Sequence, residues 1–73
     1  MAKIHYELLM QEDIDAVRAK AALSYRQEQV FGALLRGSLL DEGIAMSLGM
    51  SRATYYRVKK QMQDKVRRVL NLA

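Results

Sequence analysis

The 73-residue chain has no cysteine, no proline and no tryptophan, and only one phenylalanine and one histidine. Without cysteine it can build neither a disulfide framework nor the usual structural zinc sites, so the fold must rest on packing and the expected compartment is reducing. With His5 as the sole imidazole, no Ser-His-Asp arrangement or two-histidine metal site can be assembled, and His5 is expected at the surface. The glycines, only four and dispersed, match neither a phosphate-binding loop nor a dinucleotide fingerprint. The acidic run of Glu12, Asp13 and Asp15 is better explained by its place at a helix start than by metal binding. No enzyme, cofactor or small-molecule substrate is therefore expected. No apolar run approaches the roughly 18 residues of a membrane span, and the N-terminus has no signal segment, so the expected location is cytoplasmic with no membrane partner.

The lack of proline extends to a lack of linkers, repeats and low-complexity stretches, and residues 1–73 read as a single domain. A chain this short buries only about 60% of its unfolded surface, which leaves a marginal core and no room for a deep catalytic cavity. Help from a second chain is an expectation of that arithmetic. The five methionines are expected to fill gaps in the core or, as the alternative, to adapt a partner-binding surface.

What is present is an uneven charge. The formal net charge is +4, but residues 1–50 carry five basic side chains against seven acidic ones. Residues 51–73 carry seven (Arg52, Arg57, Lys59, Lys60, Lys65, Arg67 and Arg68) against Asp64 alone. A basic end on a faintly acidic body is the distribution of a protein that turns one face toward phosphates.

Four helices are predicted. The first runs from about Gln11 to Ala21, with Met10, Ile14, Val17 and Ala21 on one stripe and Glu12 and Asp13 at its positive end. Ser24 and Gln27 form a capping box that opens a second helix through Val30, Phe31, Leu34 and Leu35, closed by Gly37. A third starts near Leu39 or Leu40, with Ser38 as its candidate cap, and ends at Gly49, with Ile44, Ala45 and Leu48 inward. Gly43 inside it costs about 1 kcal/mol relative to alanine, for which close packing is the available reason. The fourth begins at Ser51 and carries the stripe Tyr55, Val58, Met62, Val66 and Val69 to about Leu70. In residues 1–9, Ile4, Tyr6 and Leu8 alternate like a strand, which would need a second chain to pair with, yet the segment could equally extend the first helix.

The stretch from about residue 40 to 60 has the spacing of a helix-turn-helix. Two helices crossing at roughly 90–120° through a turn of about 3–4 residues must nearly touch. Ala45 is small enough for that approach, Gly49 can take the left-handed conformation that ends the first helix, and Ser51 can cap the next. With Tyr55, Val58 and Met62 inward, Ala53, Tyr56, Arg57 and Lys60 turn outward with Arg52 at the border. These are the residue types that read DNA. Arginine can bond O6 and N7 of guanine, alanine and a tyrosine ring can contact thymine methyls, and lysine pairs with phosphate. Ser51 and Thr54 can offer hydroxyl or backbone N–H groups to a phosphate oxygen. The candidate DNA-binding set is therefore Ser51, Arg52, Ala53, Thr54, Tyr56, Arg57 and Lys60. Only the first two or three turns of so long a helix fit a groove about 12 Å wide. Beyond Gln61, Arg67 and Arg68 are candidates for the DNA backbone, and Met62, Val66, Val69, Leu70 and Leu72 for core packing or a second copy.

From Leu9 to Arg52 the chain resembles the KorA/TrfB-type plasmid transcriptional repressors. The similar residues are a leading Leu-x3-Asp-x3-Val helix (Leu9, Asp13, Val17), then Gln27, a loop with Gly37, then Ala45 and Ser47-Leu48-Gly49-Met50-Ser51-Arg52. A more distant similarity, from Arg26 to Arg57, runs to region four of bacterial sigma factors and to LuxR-type output domains. The resemblance implies a small all-α, tri- or tetrahelical helix-turn-helix domain with a long C-terminal recognition helix. It also implies a homodimeric repressor on a palindromic operator in double-stranded DNA, serving plasmid or mobile-element regulation. Larger members of that family carry a C-terminal dimerisation domain to which nothing in these 73 residues corresponds, so no mode of dimerisation transfers. Tyr55-Tyr56 stands where a smaller pair is common, so no base preference transfers. The alternative is a sigma-like module that binds polymerase or another regulator and has little or no sequence-specific DNA binding.

Overall fold

A computed structural model describes residues 3–71. It contains four α-helices: α1 Gln11–Lys20, α2 Tyr25–Arg36, α3 Asp41–Ser47 and α4 Arg52–Leu70, preceded by a single 3-10 turn at Tyr6–Leu8. The domain is all-α, as expected, and its last helix is the longest. At 1.5 Å per residue the 19 residues of α4 span about 28 Å, which is nearly the longest dimension of the molecule, 29 Å. The other three helices pack along it.

Local chemistry sets each boundary. At the start of α1 the Met10 N–H donates to the Asp13 carboxylate at 3.2 Å. The capping box of α2 is complete: the Gln27 N–H donates to Ser24 Oγ at 3.2 Å, and the Ser24 N–H donates back to Gln27 Oε1 at 2.9 Å. Gly37 closes that helix in the left-handed conformation. The end of α3 is a Schellman turn, in which the Gly49 N–H donates to the Met46 carbonyl at 3.1 Å and the Met50 N–H to the Ala45 carbonyl at 2.9 Å. This geometry needs φ of +68° at Gly49. It brings Met50 down beside Ala45, and both are buried.

The stripe of α4 is the spine of the core. Tyr55, Val58, Met62 and Val66 are buried with Val17, Val30, Phe31 and Ile44, and Val69 is half-buried beside them. Met62 and Val66 are fully enclosed by the protein's own helices, so neither is open to a second copy. Leu72, the last member of that candidate surface, lies outside the described residues.

Three expectations change. Met10 does not join the α1 stripe; it is the N-cap and stays exposed, because the backbone is extended there and the helical register has not begun. Ser38 does not cap α3: Leu40 occupies that position and no side chain caps the helix, whose first turn instead carries Asp41 and Glu42 at its positive end. The N-terminal segment forms no strand among the described residues and does not extend α1. Ile4 is buried and the Tyr6 ring meets Phe31 edge-on at 6.3 Å, whereas Leu8 points to solvent. The alternation served a docked segment with two anchors.

A Cβ at Gly43 would lie 3.4 Å from both Cβ and Cδ2 of the half-exposed Leu39, close to ordinary van der Waals contact, so packing does not account for this glycine.

Candidate nucleic-acid interface

The start of α4 is built by Ser51. Its Oγ accepts the Thr54 N–H at 3.2 Å and donates to Thr54 Oγ1 at 2.9 Å. The two hydroxyls thus face one another as a cap, and the backbone N–H groups without an intrahelical partner are those of Arg52 and Ala53. Ala53, Tyr56, Arg57 and Lys60 are exposed and lie opposite the buried stripe; Thr54 is half-buried. Arg57 and Lys60 make no ion pair among the described residues. The Tyr56 ring is held edge-on to Tyr55, with centroids 5.2 Å apart, and the Lys59 ammonium lies 6.0 Å from its centre.

The basic charge of this end is less available than its count implies. Lys59 is tied to Asp41, with Nζ donating to both carboxylate oxygens at 2.9 and 3.0 Å. Lys65 donates to the Ala22 carbonyl at 2.9 Å and to Gln27 Oε1 at 2.8 Å, pinning the α1–α2 turn to α4. Arg67 pairs with Asp64 at 3.5 Å and keeps only 16% of its side chain exposed. Arg52 is paired with Glu42 of α3, both side chains remaining at the surface. Arg57, Lys60 and Arg68 stay open. The cations that face solvent are therefore concentrated in the first two and a half turns of α4, with Arg68 beyond.

What holds α3 against α4 is a polar cluster that the spacing did not reveal. The hydroxyl of the fully buried Tyr55 donates to Asp41 Oδ1 at 2.6 Å, and Lys59, one turn further on, completes the set. Burial opposes the ionisation of Asp41, yet hydrogen bonds from Tyr55 and Lys59 and the charge of Lys59 outweigh it, so the carboxyl sits below its ordinary value. Burial first, then the hydrogen bond and charge of Asp41, push the Tyr55 hydroxyl well above its own. A tyrosine in a core stripe has to find a partner for its hydroxyl, and that requirement was the available signal.

Between α3 and the start of α4 lies an open groove of about 360 Å³ lined by Ala45, Met46, Met50, Tyr55 and Tyr56, with Asp41, Glu42 and Arg52 also on its walls. Its apolar lining and exposed Met46 continue the surface of the reading-face candidates.

Compared with family models, with curated proteins and with solved structures, the chain matches none. Its fold and site define a small all-helical domain of four helices in which the last carries an exposed basic face. No helix among the described residues is long and apolar enough to cross a membrane.

Proposed function

We propose that this chain is a sequence-specific DNA-binding transcriptional repressor that inserts the start of α4 into the major groove of a palindromic operator as a homodimer. The observation that carries this reading is the alignment of Ala53, Tyr56, Arg57 and Lys60 on one exposed face, backed by a buried stripe and free of internal ion pairs at Arg57 and Lys60. In this scheme Arg57 and Tyr56 read bases, Lys60 contacts phosphate, and the amides of Arg52 and Ala53 offer the helix N-terminus to a phosphate oxygen. The resemblance of Leu9–Arg52 to KorA/TrfB-type repressors supports the regulatory role and the plasmid or mobile-element setting. Repression needs only occupancy of a promoter, so no chemistry, metal or cofactor is called on. With Met62 and Val66 enclosed, the second copy would meet other surfaces than that stripe.

Selection of bound sites from a random DNA pool, followed by gel-shift titration, tests the reading. An inverted-repeat site should emerge, and Arg57→Ala should cost about 1–3 kcal/mol on it with a smaller loss on random DNA. Equal losses on both would remove Arg57 as a base reader. A light-scattering mass near 8.4 kDa at micromolar concentration would count against a stable dimer in free solution.

A second reading, a sigma-like module that docks on polymerase or another regulator, draws on two exposed apolar side chains beside α4: Leu40, 85% exposed, and Met46, 82% exposed. Salt separates the two. Binding that neutralises phosphates loses about 0.9 log units of affinity per log unit of salt for each phosphate contacted, whereas apolar docking does not.

A further inference from the structure

Glu42 is an acidic side chain beside the exposed basic face of α4, and unlike its neighbour Asp41, which Lys59 engages, it stands at the surface. It is exposed, it lies on α3 rather than α4, and its carboxylate accepts from Nη2 of Arg52, the first residue of α4. An acid in that place repels phosphate and ties up one of the cations nearest the helix start. It also restrains a long side chain that would otherwise sweep a wide arc. A guanidinium has five N–H donors in a planar fork, so an arginine held at one nitrogen keeps the others for a second acceptor.

We infer that Glu42 is a specificity-determining residue that acts through Arg52. It holds the guanidinium in one orientation for a guanine edge and denies it to the phosphate backbone. This rests on the reading of α4 as a DNA-reading helix. The geometry supplies both halves. Arg52 and Glu42 line the same groove as Tyr56, a member of the outward-facing set, so the pair borders the bases that set would meet. Pairing across two helices also ties Arg52 to the scaffold at one nitrogen, whereas an unpaired arginine at a helix start can follow whichever phosphate is nearest. The effect is a penalty on random DNA, where only phosphate contacts are offered, and a smaller one or none at the selected site.

Glu42→Gln keeps the size of a side chain that the fold leaves at the surface, so it tests the charge with little risk to folding. In gel-shift titrations on a selected site and on random DNA of equal length, the variant should bind random DNA about tenfold tighter. Its binding to the selected site should change by less than about threefold. The slope of log affinity against log salt on random DNA should steepen by about 0.9, the mark of one added phosphate contact. In an Arg52→Ala background Glu42→Gln should leave the ratio of the two affinities unchanged within about twofold, because the residue through which it acts is gone. An equal gain on both DNAs, or the same change of ratio in both backgrounds, would reduce Glu42 to simple charge repulsion and overturn the inference. If the unmodified chain selects no site at all, the DNA-reading function itself fails and the role of Glu42 fails with it. If it selects a site and only the Glu42 arm fails, the function stands.

Discussion

Replacing Tyr55 with phenylalanine removes one hydroxyl and almost no volume, and so isolates the contact that joins α3 to α4. The ring stays in the core; what is lost is the hydrogen bond to Asp41 Oδ1 at 2.6 Å. A hydrogen bond to a charged group contributes about 1.5–3 kcal/mol. The Asp41 side chain is 31% exposed and keeps both Lys59 and water, which brings this loss to or just below the bottom of that range, about 1–1.5 kcal/mol. For a domain of this size that lowers Tm by about 5–10 °C. The pH dependence identifies the cause. The Asp41 carboxyl is held below its ordinary value, so its contribution is complete above about pH 4 and is lost as the pH falls through the lowered folded value. The Tyr55 hydroxyl is raised, so its contribution is complete below about pH 10 and is lost as the pH rises through the raised folded value. Urea titrations followed by circular dichroism should therefore show the largest gap between Tyr55→Phe and the parent from about pH 5 to 9. The gap should narrow toward both extremes. Equal midpoints at pH 7, or a gap that stays constant from acid to alkali, would refute the assignment of this cluster as the clamp between the helices.

Three further outcomes follow from residues the fold has placed. Lys65→Met should lower stability by about 1 kcal/mol, since it removes the donor shared by Ala22 and Gln27, and should leave affinity for DNA nearly unchanged. Lys60→Gln should do the reverse, sparing stability while reducing the salt slope of DNA binding by about 0.9; matching effects of the two variants would contradict the division between tied and open cations. Ala22 adopts φ of +53° just beyond α1, a left-handed conformation that costs an L-residue about 1–2 kcal/mol. Ala22→Gly should therefore raise stability by about 0.5–1 kcal/mol after the greater freedom of glycine in the unfolded chain is subtracted, and a lowered thermal midpoint would contradict that account.

The helices themselves were legible in the residues because their signals are local. Ser24 with Gln27, Gly37, Gly49 and Ser51 act within a few residues of their own backbone, and the stripe from Tyr55 to Val66 repeats at the helical period whatever it packs against. The same periodicity placed Ala53, Tyr56, Arg57 and Lys60 on the outer face of α4. The N-terminal segment was not legible, since an alternation of Ile4, Tyr6 and Leu8 carries no information about whether a partner strand exists. Tertiary structure decided that Ile4 and Tyr6 reach the core and Leu8 does not.

Charge shows the division most clearly. Composition and order determined that this chain is helical and that its basic residues gather after Ser51. They could not say which of those cations are free, because an ion pair or a hydrogen bond to a lysine can depend on distances between residues far apart in the chain. Lys59 meets Asp41 across 18 positions and Lys65 meets Gln27 across 38. Only the packing of α2 and α3 on α4 brings those acceptors within reach. That packing leaves Arg57 and Lys60 open, and Arg52 in the grip of Glu42.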